Sequence, residues 1–552
     1  MKPDRLLQSE EPFDLLIIGG GVYGLCTAWD ASLRGLRVAL VEKDDFTHAC
    51  TAVNYKLIHG GLRYLQHLDF KRMRVSILER RSLSRIAPHM VTPVSFVIPC
   101  RGHGIQGPEA MTAALAINDL IGFDRNKDVI PSAQVPRGRV LSKKECIALV
   151  PSLQGVDLNG GGLYTDLQMR SAERLALSMG KSAEENGAVL ANYSEVTELV
   201  RVKDKIMAAR IRDKRSGQDY EVSASFFINM TGPWSEITKS FATGTVSEKH
   251  VVRSKGVQVF TRKLSDVGFS VQTRQKDTTA RISRGGRSLF VQPWRDTSFI
   301  GQTDKIFRGN PDDFRITQED VAEFLEEVND ACPSAKLTMK DVVHVLGGMV
   351  PVSRDDPNAS ETHVTHKYEI HDHADSDGSR NFISVNGVKY TIARYLAEKA
   401  LDLMFKKENR ESPPCRTAVT PVVGGSISDV DAEIRSLMKN EDVTKPVATH
   451  LIHMYGTACD AVFTLAGNDP DLRSCVSGTD KVLRAEILHA VRQEMALHLS
   501  DVLLRRSDLG TLGCPPEECI QEVAAIMAAE LGWDEERKKE EITSFTAHYH
   551  LA

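Results

Sequence analysis

Three glycines lie at the turn between an apolar strand and a helical pattern, where a protein backbone can bind a phosphate. The segment is Phe13-Asp-Leu-Leu-Ile-Ile-Gly-Gly-Gly-Val-Tyr-Gly24, and the next apolar strand ends on Glu42. Gly19 permits the tight turn, Gly21 lets the backbone approach a pyrophosphate, and Gly24 permits close packing of helix on strand. The helix N-terminus adds N–H groups and partial positive charge. Since Glu42 can accept hydrogen bonds from a ribose, this unit predicts a dinucleotide site.

The composition narrows the class of protein. The chain has 552 residues, of which 41% are hydrophobic and 26% charged, with a formal net charge of −5. This is ordinary for a soluble globular protein and argues against a nucleic-acid partner. The ten cysteines are scattered, which favours a reducing compartment over secretion. We find no signal-peptide pattern and no apolar span, so we expect a cytoplasmic protein; peripheral contact with the inner face of a membrane stays open.

The elements that must position these residues form an α/β core with a β-rich insertion and a helical C-terminal part. Short β-like runs occupy residues 250–305, strands are expected at 196–202 and 206–212, and the pattern after about residue 430 is almost wholly helical. The segment 411–415 has two prolines and is the expected linker. Helices are expected at 68–87, 108–121, 170–186, 317–331, 391–406, 448–466, 479–506 and 517–531.

Several runs resemble, in order along the chain, the FAD-dependent glycerol-3-phosphate dehydrogenases, which are flavoproteins of the D-amino-acid-oxidase-like class. The most specific run is Lys56-Leu-Ile-His-Gly-Gly-Leu-Arg-Tyr-Leu65. Further matching runs are Asn229-Met-Thr-Gly-Pro-Trp234, Pro293-Trp294, Ile300-Gly-Gln-Thr-Asp304, Ser384-Val-Asn-Gly-Val-Lys-Tyr-Thr391 and Asp501-Val-Leu-Leu-Arg-Arg-Ser-Asp-Leu-Gly510. The resemblance implies oxidation of sn-glycerol 3-phosphate to dihydroxyacetone phosphate, with hydride transfer to flavin N5 and electrons passed to a quinone or another acceptor.

The resemblance also implies the domain plan and the cofactor residues. A Rossmann-like FAD-binding domain at 12–410 would be interleaved with a β-rich substrate (cap) domain, mainly at 100–155 and 246–350, and followed by a helical domain at 411–552. The sequence does not decide the oligomeric state, and a homodimer stays open. The residues expected to contact FAD are Gly19, Gly21, Gly24, Glu42, Lys56, His59, Gly60, Gly61, Thr231, Gly232, Gly387 and Lys389.

Four of the matching residues carry the expected substrate chemistry. The planar guanidinium of Arg63 can bind a phosphate or carboxylate in a bidentate way, although alone it would be taken for a surface ion pair. Tyr64 could donate to the same anion or only pack. Lys389 and Thr391 match the family's G-K-x-T site, where a cation and a hydroxyl face substrate and flavin. We expect catalysis from His59, Arg63 and Lys389.

The general base is left between two interpretations of His59. Its ordinary pKa lies near neutrality, which suits a residue that takes the hydroxyl proton. Alternatively, its ring fixes the flavin loop by hydrogen bonds.

The chain departs from the family in the active site itself. Val350 stands where the family's G-x-R-P-L segment has a substrate-binding arginine, and a valine cannot bind an anion. Gln258 replaces a histidine proposed to help in proton transfer, and a glutamine is no base at neutral pH. Arg354 could reach back or be a solvated charge. These changes leave flavin binding in place and put the substrate in question.

A group of histidines invites interpretation as a metal site. Their spacings do not match a strong zinc pattern, so a solvated hairpin is favoured and no metal is expected. The histidines are His363, His366, His371 and His373.

Three functions stay open. The first is a glycerol-3-phosphate dehydrogenase that uses FAD and acts on a phosphorylated polyol. The second is a related flavin dehydrogenase or oxidase acting on another polyol phosphate or hydroxy acid, motivated by Val350 and Gln258. The third is a non-catalytic flavoprotein whose C-terminal helices serve as an interaction or membrane-docking module.

Overall fold

Two β-sheets and a set of C-terminal helices form the fold. The computed structural model describes residues 11–243, 252–276, 282, 286–352 and 368–552. Within these residues the strands are β1 (Phe13–Ile18), β2 (Val38–Val41), β3 (Leu57–Ile58), β4 (Val91–Cys100), β5 (Arg139–Ser142), β6 (Gly160–Met169), β7 (Val189–Ala191), β8 (Ser194–Val202), β9 (Lys205–Asp213), β10 (Asp219–Asn229), β11 (Arg253–Arg262), β12 (Gly268–Lys276), β13 (Gly286–Trp294), β14 (Thr297–Gly301), β15 (Lys305–Phe307), β16 (Val342–Pro351), β17 (Glu369–Asp372) and β18 (Phe382–Asn386).

The first sheet is the parallel core expected for a dinucleotide-binding domain. Its strands lie in the order β17-β18-β10-β1-β2-β7, and β18, β10, β1, β2 and β7 are parallel. β17 is antiparallel to β18, and β8 and β9 extend from β10 as an antiparallel meander. Strand β1 pairs on both sides, Leu15 with Phe226 and with Val38 in the adjacent strands. Its buried apolar run is typical of a parallel strand covered on both faces.

The second sheet is built from two separate stretches of chain. Its strands lie in the order β15-β11-β14-β13-β12-β4-β6-β3, with β16 paired to β11 and β5 paired to β6. The parallel pair of β12 with β4 joins the two contributions. A β-rich part interleaved with the parallel core is therefore confirmed, and it has its own apolar core around Phe269, Ile300 and Phe324.

Helices cover the sheets and form the C-terminal part. In the described residues these are α1 (Val22–Leu33), α2 (Phe70–Ile86), α3 (Pro108–Ile121), α4 (Lys143–Leu149), α5 (Ala172–Glu185), α6 (Ser235–Thr243), α7 (Gln318–Ala331), α8 (His373–Ser376), α9 (Ala393–Lys407), α10 (Val430–Glu441), α11 (Lys445–Tyr455), α12 (Asp460–Ala466), α13 (Arg484–Glu494), α14 (Leu499–Asp501), α15 (Glu517–Leu531) and α16 (Glu535–Ala547). A π-helical turn, Val502–Arg506, continues α14.

Two long helices expected in the C-terminal part are each broken, and that prediction was wrong. The 448–466 pattern divides into α11 and α12 at Gly456, whose φ is 59°. The 479–506 pattern begins only at Arg484 and ends at Met495, which has a φ of 56°. A left-handed residue terminates a helix, but for methionine this conformation carries no sequence signal.

The segment 411–415 packs against the core despite its lack of regular structure. Ser412 accepts a hydrogen bond of 2.8 Å from Arg34, and Cys415 lies 3.5 Å from the Arg394 guanidinium. Arg416 then donates to the Leu33 carbonyl at 2.7 Å. The chain therefore enters the C-terminal helices along a fixed path.

Candidate active site

A cavity of about 1520 Å³ runs between the parallel sheet and the second sheet. Its wall includes the glycine turn at one end and the Arg63 and Lys389 side chains at the other. Of the residues predicted from sequence, those that line it are Gly19, Gly21, Glu42, His59, Gly61, Arg63, Tyr64, Thr231, Gly232, Gly387, Lys389 and Thr391. The fold thus brings most of the predicted residues to one space.

The glycine turn has the close contacts that its sequence predicted. Gly19 has a φ of 111°, and a Cβ atom there would lie 2.7 Å from the Met230 carbonyl oxygen. A Cβ on Gly24 would lie 1.9 Å from the Gly19 carbonyl oxygen, so α1 can approach β1 only without it. Gly24 faces this packing contact and does not line the cavity. The turn leaves the N-terminus of α1 facing the cavity, as a pyrophosphate requires.

Glu42 closes this end of the cavity. Its Oε2 accepts from Gly20 N at 2.6 Å, and its Oε1 accepts from Asp44 N at 3.0 Å. Burial raises the pKa of Glu42 to about 7. A carboxylate in this place can accept further hydrogen bonds from a ribose.

A group of cations lies at the other end. Lys389 donates a hydrogen bond to the Tyr64 hydroxyl, and its ammonium lies 4.3 Å from the centre of the Tyr64 ring. Arg72 lies over the same ring at 5.1 Å. Burial, together with the charges of Arg72 and Arg63, lowers the pKa of Lys389 to about 7. Each of these cations disfavours the charged form of the others, so an anion bound among them would be stabilised.

Tyr23 and Gly387 fix the backbone that carries Lys389. The Tyr23 hydroxyl donates to the Lys389 carbonyl at 2.6 Å and accepts from Lys389 N at 3.1 Å. A Cβ on Gly387 would lie 1.9 Å from the Tyr23 ring, so only glycine fits. Thr391 is buried in the turn that follows, Tyr390–Ile392, and also lines the cavity.

His59 lies beside these cations. Its ring contacts Tyr64 edge-on, with 5.8 Å between the ring centroids. Burial, followed by the charges of Lys389 and Arg80, lowers the pKa of His59 well below its ordinary value. The imidazole is therefore neutral at physiological pH and can accept a proton.

Two of the expected cofactor residues support the wall from behind. Lys56 is buried in an ion pair with Glu173 and donates to the Ala52 carbonyl at 2.7 Å. Gly60 N donates to Asp166 at 2.6 Å, and a Cβ on Gly60 would meet the Arg80 guanidinium. Neither residue lines the cavity.

Thr231 and Gly232 lie where β10 ends. Thr231 donates to Asn229 Oδ1 at 2.8 Å, and Gly232 has a φ of 55° with open space where a Cβ would be. Both line the cavity beside the glycine turn, because a Cβ on Gly19 would lie only 3.0 Å from Thr231 N.

The two departures from the family pattern face the same cavity. Gln258 donates from Nε2 to Gln302 Oε1 at 3.0 Å, while its own Oε1 is buried and has no hydrogen-bond partner. A buried amide oxygen without a partner can accept a hydrogen bond from a ligand in the cavity. Val350 lines the wall nearby.

Sequence reasoning missed the cluster around Arg287. This guanidinium lines the cavity and contacts both Glu327 carboxylate oxygens, at 2.6 and 2.7 Å, and Asp304 at 3.2 Å. Only the contact of β13 with β14 and α7 brings these residues together, so no local pattern indicates them. Tyr23 was missed likewise, because its partner Lys389 is 366 residues away.

The histidines form no metal site in the part of the chain that the structure describes. No cluster of metal-ligating side chains occurs among these residues. His373 is buried and its ring stacks on Phe382. A hydrogen bond of 3.0 Å joins its Nδ1 to an Asp377 carboxylate oxygen. His373 lies in the expected hairpin of β17 and β18, but it is not solvated. His363, His366 and Arg354 lie outside the described residues.

The glycine turn, Glu42 and the volume of the cavity fit a flavin dinucleotide. A Cβ on Gly19 or Gly24 would meet the protein backbone, so these glycines permit the tight turn that presents the N-terminus of α1 to a ligand. None of the helices in the described ranges could span a bilayer.

Comparison with known proteins gives matches along nearly the whole chain. Residues 14–398 match the FAD-dependent oxidoreductase family, and residues 415–538 match the C-terminal domain of alpha-glycerophosphate oxidase. A glycerol-3-phosphate dehydrogenase of Synechocystis is 30% identical over 504 residues, which is 90% of this chain and 88% of the relative. An aerobic glycerol-3-phosphate dehydrogenase of Staphylococcus haemolyticus is 30% identical over 516 residues, covering 91% and 87%.

A solved structure matches the fold. It is the glycerol-3-phosphate dehydrogenase of Bacillus halodurans complexed with FAD, with a TM-score of 0.76 and 25% identity. The match covers 99% of this chain and 96% of that one, so it includes the C-terminal helices.

Proposed function

The chain belongs to the FAD-dependent oxidoreductase family and, within it, to the glycerol-3-phosphate dehydrogenases, and we propose that it oxidises sn-glycerol 3-phosphate to dihydroxyacetone phosphate. The observation that carries this proposal is the pair of cations Lys389 and Arg63 in the wall of the cavity. Arg72, which is paired with Asp69 at 3.2 Å, adds its charge nearby. A phosphate has the charge that such a pocket requires.

FAD, when bound along the glycine turn, accepts the two electrons removed from the alcohol carbon. The residues that would hold it are Gly19, Gly21, Glu42, Thr231 and Gly232, which line one end of the cavity.

In the proposed complex, Lys389 and Arg63 bind the substrate phosphate. The phosphate would raise the pKa of Lys389 again, because its negative charge offsets the burial and the two neighbouring arginines that lower it. Tyr64, already hydrogen-bonded to Lys389, orients the ammonium. Thr391 lies in the turn beside them and also lines the cavity.

The hydroxyl that is oxidised needs an acceptor for its hydrogen. Gln258 Oε1, buried and without a partner, can accept from it and orient it, although an amide cannot remove the proton. We assign the proton to His59, which is neutral beside Lys389 and Arg80. The substrate phosphate would raise the pKa of His59 by offsetting these cations, so the base becomes stronger when substrate is bound.

Val350 favours a second substrate class that shares this chemistry. The wall lacks the arginine expected there, and the Arg287 guanidinium is bound to Glu327 and Asp304. A polyol phosphate with another carbon skeleton, or a hydroxy acid, would use the same cationic pocket and the same acceptor.

A substrate survey tests the proposal. The purified holoenzyme is assayed with an artificial electron acceptor and glycerol 3-phosphate, glycerol, another polyol phosphate or a hydroxy acid. We expect turnover with glycerol 3-phosphate and little with glycerol, which lacks the anion. Turnover with only a different compound would establish the second substrate class. Turnover with none of them would contradict both.

We further propose that electrons leave to a quinone at a membrane surface. Apolar side chains are exposed beside the cavity, and the most exposed are Leu120 and Phe123, at 75% and 78%, which follow the cavity-lining Ile117 in and just after α3. We call this surface the apolar rim. Its members are Leu68, Phe70, Ile105, Ile117, Leu120 and Phe123.

The position of the apolar rim supports this proposal. Leu68, Phe70, Ile105 and Ile117 also line the cavity, so the rim and the site are continuous. Exposed apolar surface of this kind is unusual on a protein that meets only water. A membrane that covers it would deliver an apolar acceptor next to the cofactor.

A further inference from the structure

A buried ion cluster joins the loop after β2 to the C-terminal helices. Asp45 accepts from Arg506 Nη1 at 2.5 Å and Nη2 at 2.7 Å, and from Arg505 Nε at 2.5 Å. All three side chains are buried. Burial alone would raise the pKa of Asp45, but the two guanidinium groups hold it at about 2. The contacts join residues 460 and 461 positions apart in the chain.

Further hydrogen bonds pair the remaining polar groups of the two arginines and of Asp45. Arg505 Nη2 also donates to Asp501 at 2.6 Å, and Arg506 donates to the Glu494 carbonyl at 2.9 Å. Asn192 donates to Asp45 Oδ1 at 3.0 Å and to the Met495 carbonyl at 2.9 Å. The π-helical turn Val502–Arg506 lets two consecutive arginines reach one carboxylate. Every charge in the cluster is therefore paired.

The loop held in this way is a wall of the cofactor cavity. Asp44, Asp45 and Thr47 line the cavity, and Thr47 N donates to the Gly20 carbonyl in the glycine turn at 3.0 Å. Farther along, the Thr51 hydroxyl accepts from Val22 N, at the start of α1, at 2.9 Å. The loop thus crosses the glycine turn at the end where the dinucleotide binds.

The loop has a conformation that its sequence does not favour. Thr47 has a φ of 64°, which is rare for a β-branched residue and persists only where the surroundings impose it. Asp45, two residues earlier, is the anchored position. Without the anchor, the loop would relax toward ordinary backbone angles and lose its place over the glycine turn.

We propose that Arg506 and Arg505 are positioning residues for FAD, through which the C-terminal helices hold the 44–51 loop in the shape that binds the cofactor. The helical domain then has a part in cofactor retention although neither arginine lines the cavity. This positioning role concerns FAD alone and does not depend on which alcohol the enzyme oxidises.

Release and rebinding of FAD test this role. We would measure the Kd of FAD by flavin fluorescence for Arg506→Met and for the nearly isosteric Asp45→Asn, starting from purified holoenzyme. Hydrogen exchange of residues 44–51 is measured on the same samples. The matched control is Arg174→Met, because Arg174 pairs with the buried Glu494 carboxylate at 2.6 Å and does not touch the loop. This change leaves in place the Glu494 backbone carbonyl that accepts from Arg506.

The expected result separates positioning from general stability. Arg506→Met and Asp45→Asn raise the Kd of FAD at least about tenfold and speed exchange in the loop, whereas Arg174→Met lowers the Tm but changes the Kd less than about twofold. Folded variants that bind FAD as tightly as the original chain would overturn the proposal. An equal loss in Arg174→Met would overturn it too. If Arg506→Met does not fold, Asp45→Asn decides by the same criteria.

Discussion

The Lys389 ammonium donates a hydrogen bond to the Tyr64 hydroxyl while lying 4.3 Å from the centre of the same ring. The two residues are 325 positions apart. Burial and two arginines lower the pKa of Lys389 to about 7, so this lysine gains most from an arriving anion. The proposed substrate recognition depends on this pair.

Removal of the Lys389 charge should weaken substrate binding. Since a hydrogen bond to a charged group contributes about 1.5–3 kcal/mol, Lys389→Met should raise the KM for glycerol 3-phosphate about 10- to 100-fold. Steady-state kinetics, with FAD content measured by absorbance, check this. Lys399→Met is the control, because Lys399 pairs with Asp402 at 3.6 Å on the exposed side of α9. A KM that stays the same in Lys389→Met would remove Lys389 from the phosphate site.

The pH profile should show the titration of Lys389. A lysine with a pKa of about 7 loses its proton as the pH rises, so the free enzyme should lose the charge that binds phosphate. We expect kcat/KM to fall about tenfold per unit above pH 7, while kcat changes little because bound phosphate retains the proton. Lys389→Arg should flatten the fall. If kcat/KM instead rises through pH 7, Lys389 acts as a base.

The Tyr23 hydroxyl should affect substrate binding although it does not contact the substrate. It contacts both backbone polar groups of Lys389, so Tyr23→Phe leaves a buried N–H and carbonyl without their partner. We expect the KM to rise about tenfold with FAD content intact. Tyr549→Phe, which removes a hydroxyl bonded to the Gly510 carbonyl at 2.6 Å, should leave the KM unchanged. Equal effects of the two changes would argue against positioning.

Gln258 should contribute to recognition of the substrate hydroxyl group that is oxidised. Its unpaired Oε1 is the acceptor that we assign to the reacting alcohol. Gln258→Leu should lower kcat/KM about 10- to 100-fold, and Gln258→Asn should lower it less if water or a small shift restores the contact. The assay is steady-state kinetics with glycerol 3-phosphate. Activity in Gln258→Leu equal to that of the original chain would leave this amide without the assigned role.

The apolar rim should govern binding to membranes. Since full burial of a large apolar side chain contributes about 1.5–3 kcal/mol, the double change Leu120→Ser and Phe123→Ser should weaken vesicle binding about 100-fold or more. Sedimentation with phospholipid vesicles measures it. The matched control changes Val202 and Met207, exposed apolar residues of the β8–β9 hairpin, to serine. Equal binding by both variants would place the membrane contact elsewhere.

Sequence reasoning predicted the parts whose signals are local. The spacing of the glycines and of Glu42 predicted the dinucleotide turn, the run Lys56–Leu65 indicated the family by resemblance, and α3 begins and ends at the expected residues 108 and 121. The sequence pattern also placed the β-rich insertion and the helical end of the chain. These features depend on neighbours within a few tens of residues.

The remainder depends on contacts between distant residues. Lys56 lies in the run that matches the family, but its side chain forms a buried ion pair with Glu173 and does not line the cavity. Arg287 and Asp304 enter the site only because β13, β14 and α7 pack together. Asp45 and its anchor Arg506 are 461 positions apart, so no local sequence pattern indicates their contact. Ion pairs between residues that are far apart in the chain fix the positions of these side chains.

The direct test of the central claim is anaerobic mixing of the holoenzyme with glycerol 3-phosphate while the flavin absorbance is followed. We predict complete bleaching, one dihydroxyacetone phosphate formed for each FAD reduced, and at least about tenfold slower bleaching at low substrate concentration in Arg63→Ala, whose FAD content should be unchanged. A flavin that glycerol 3-phosphate leaves oxidised, while another alcohol bleaches it, would contradict the claim.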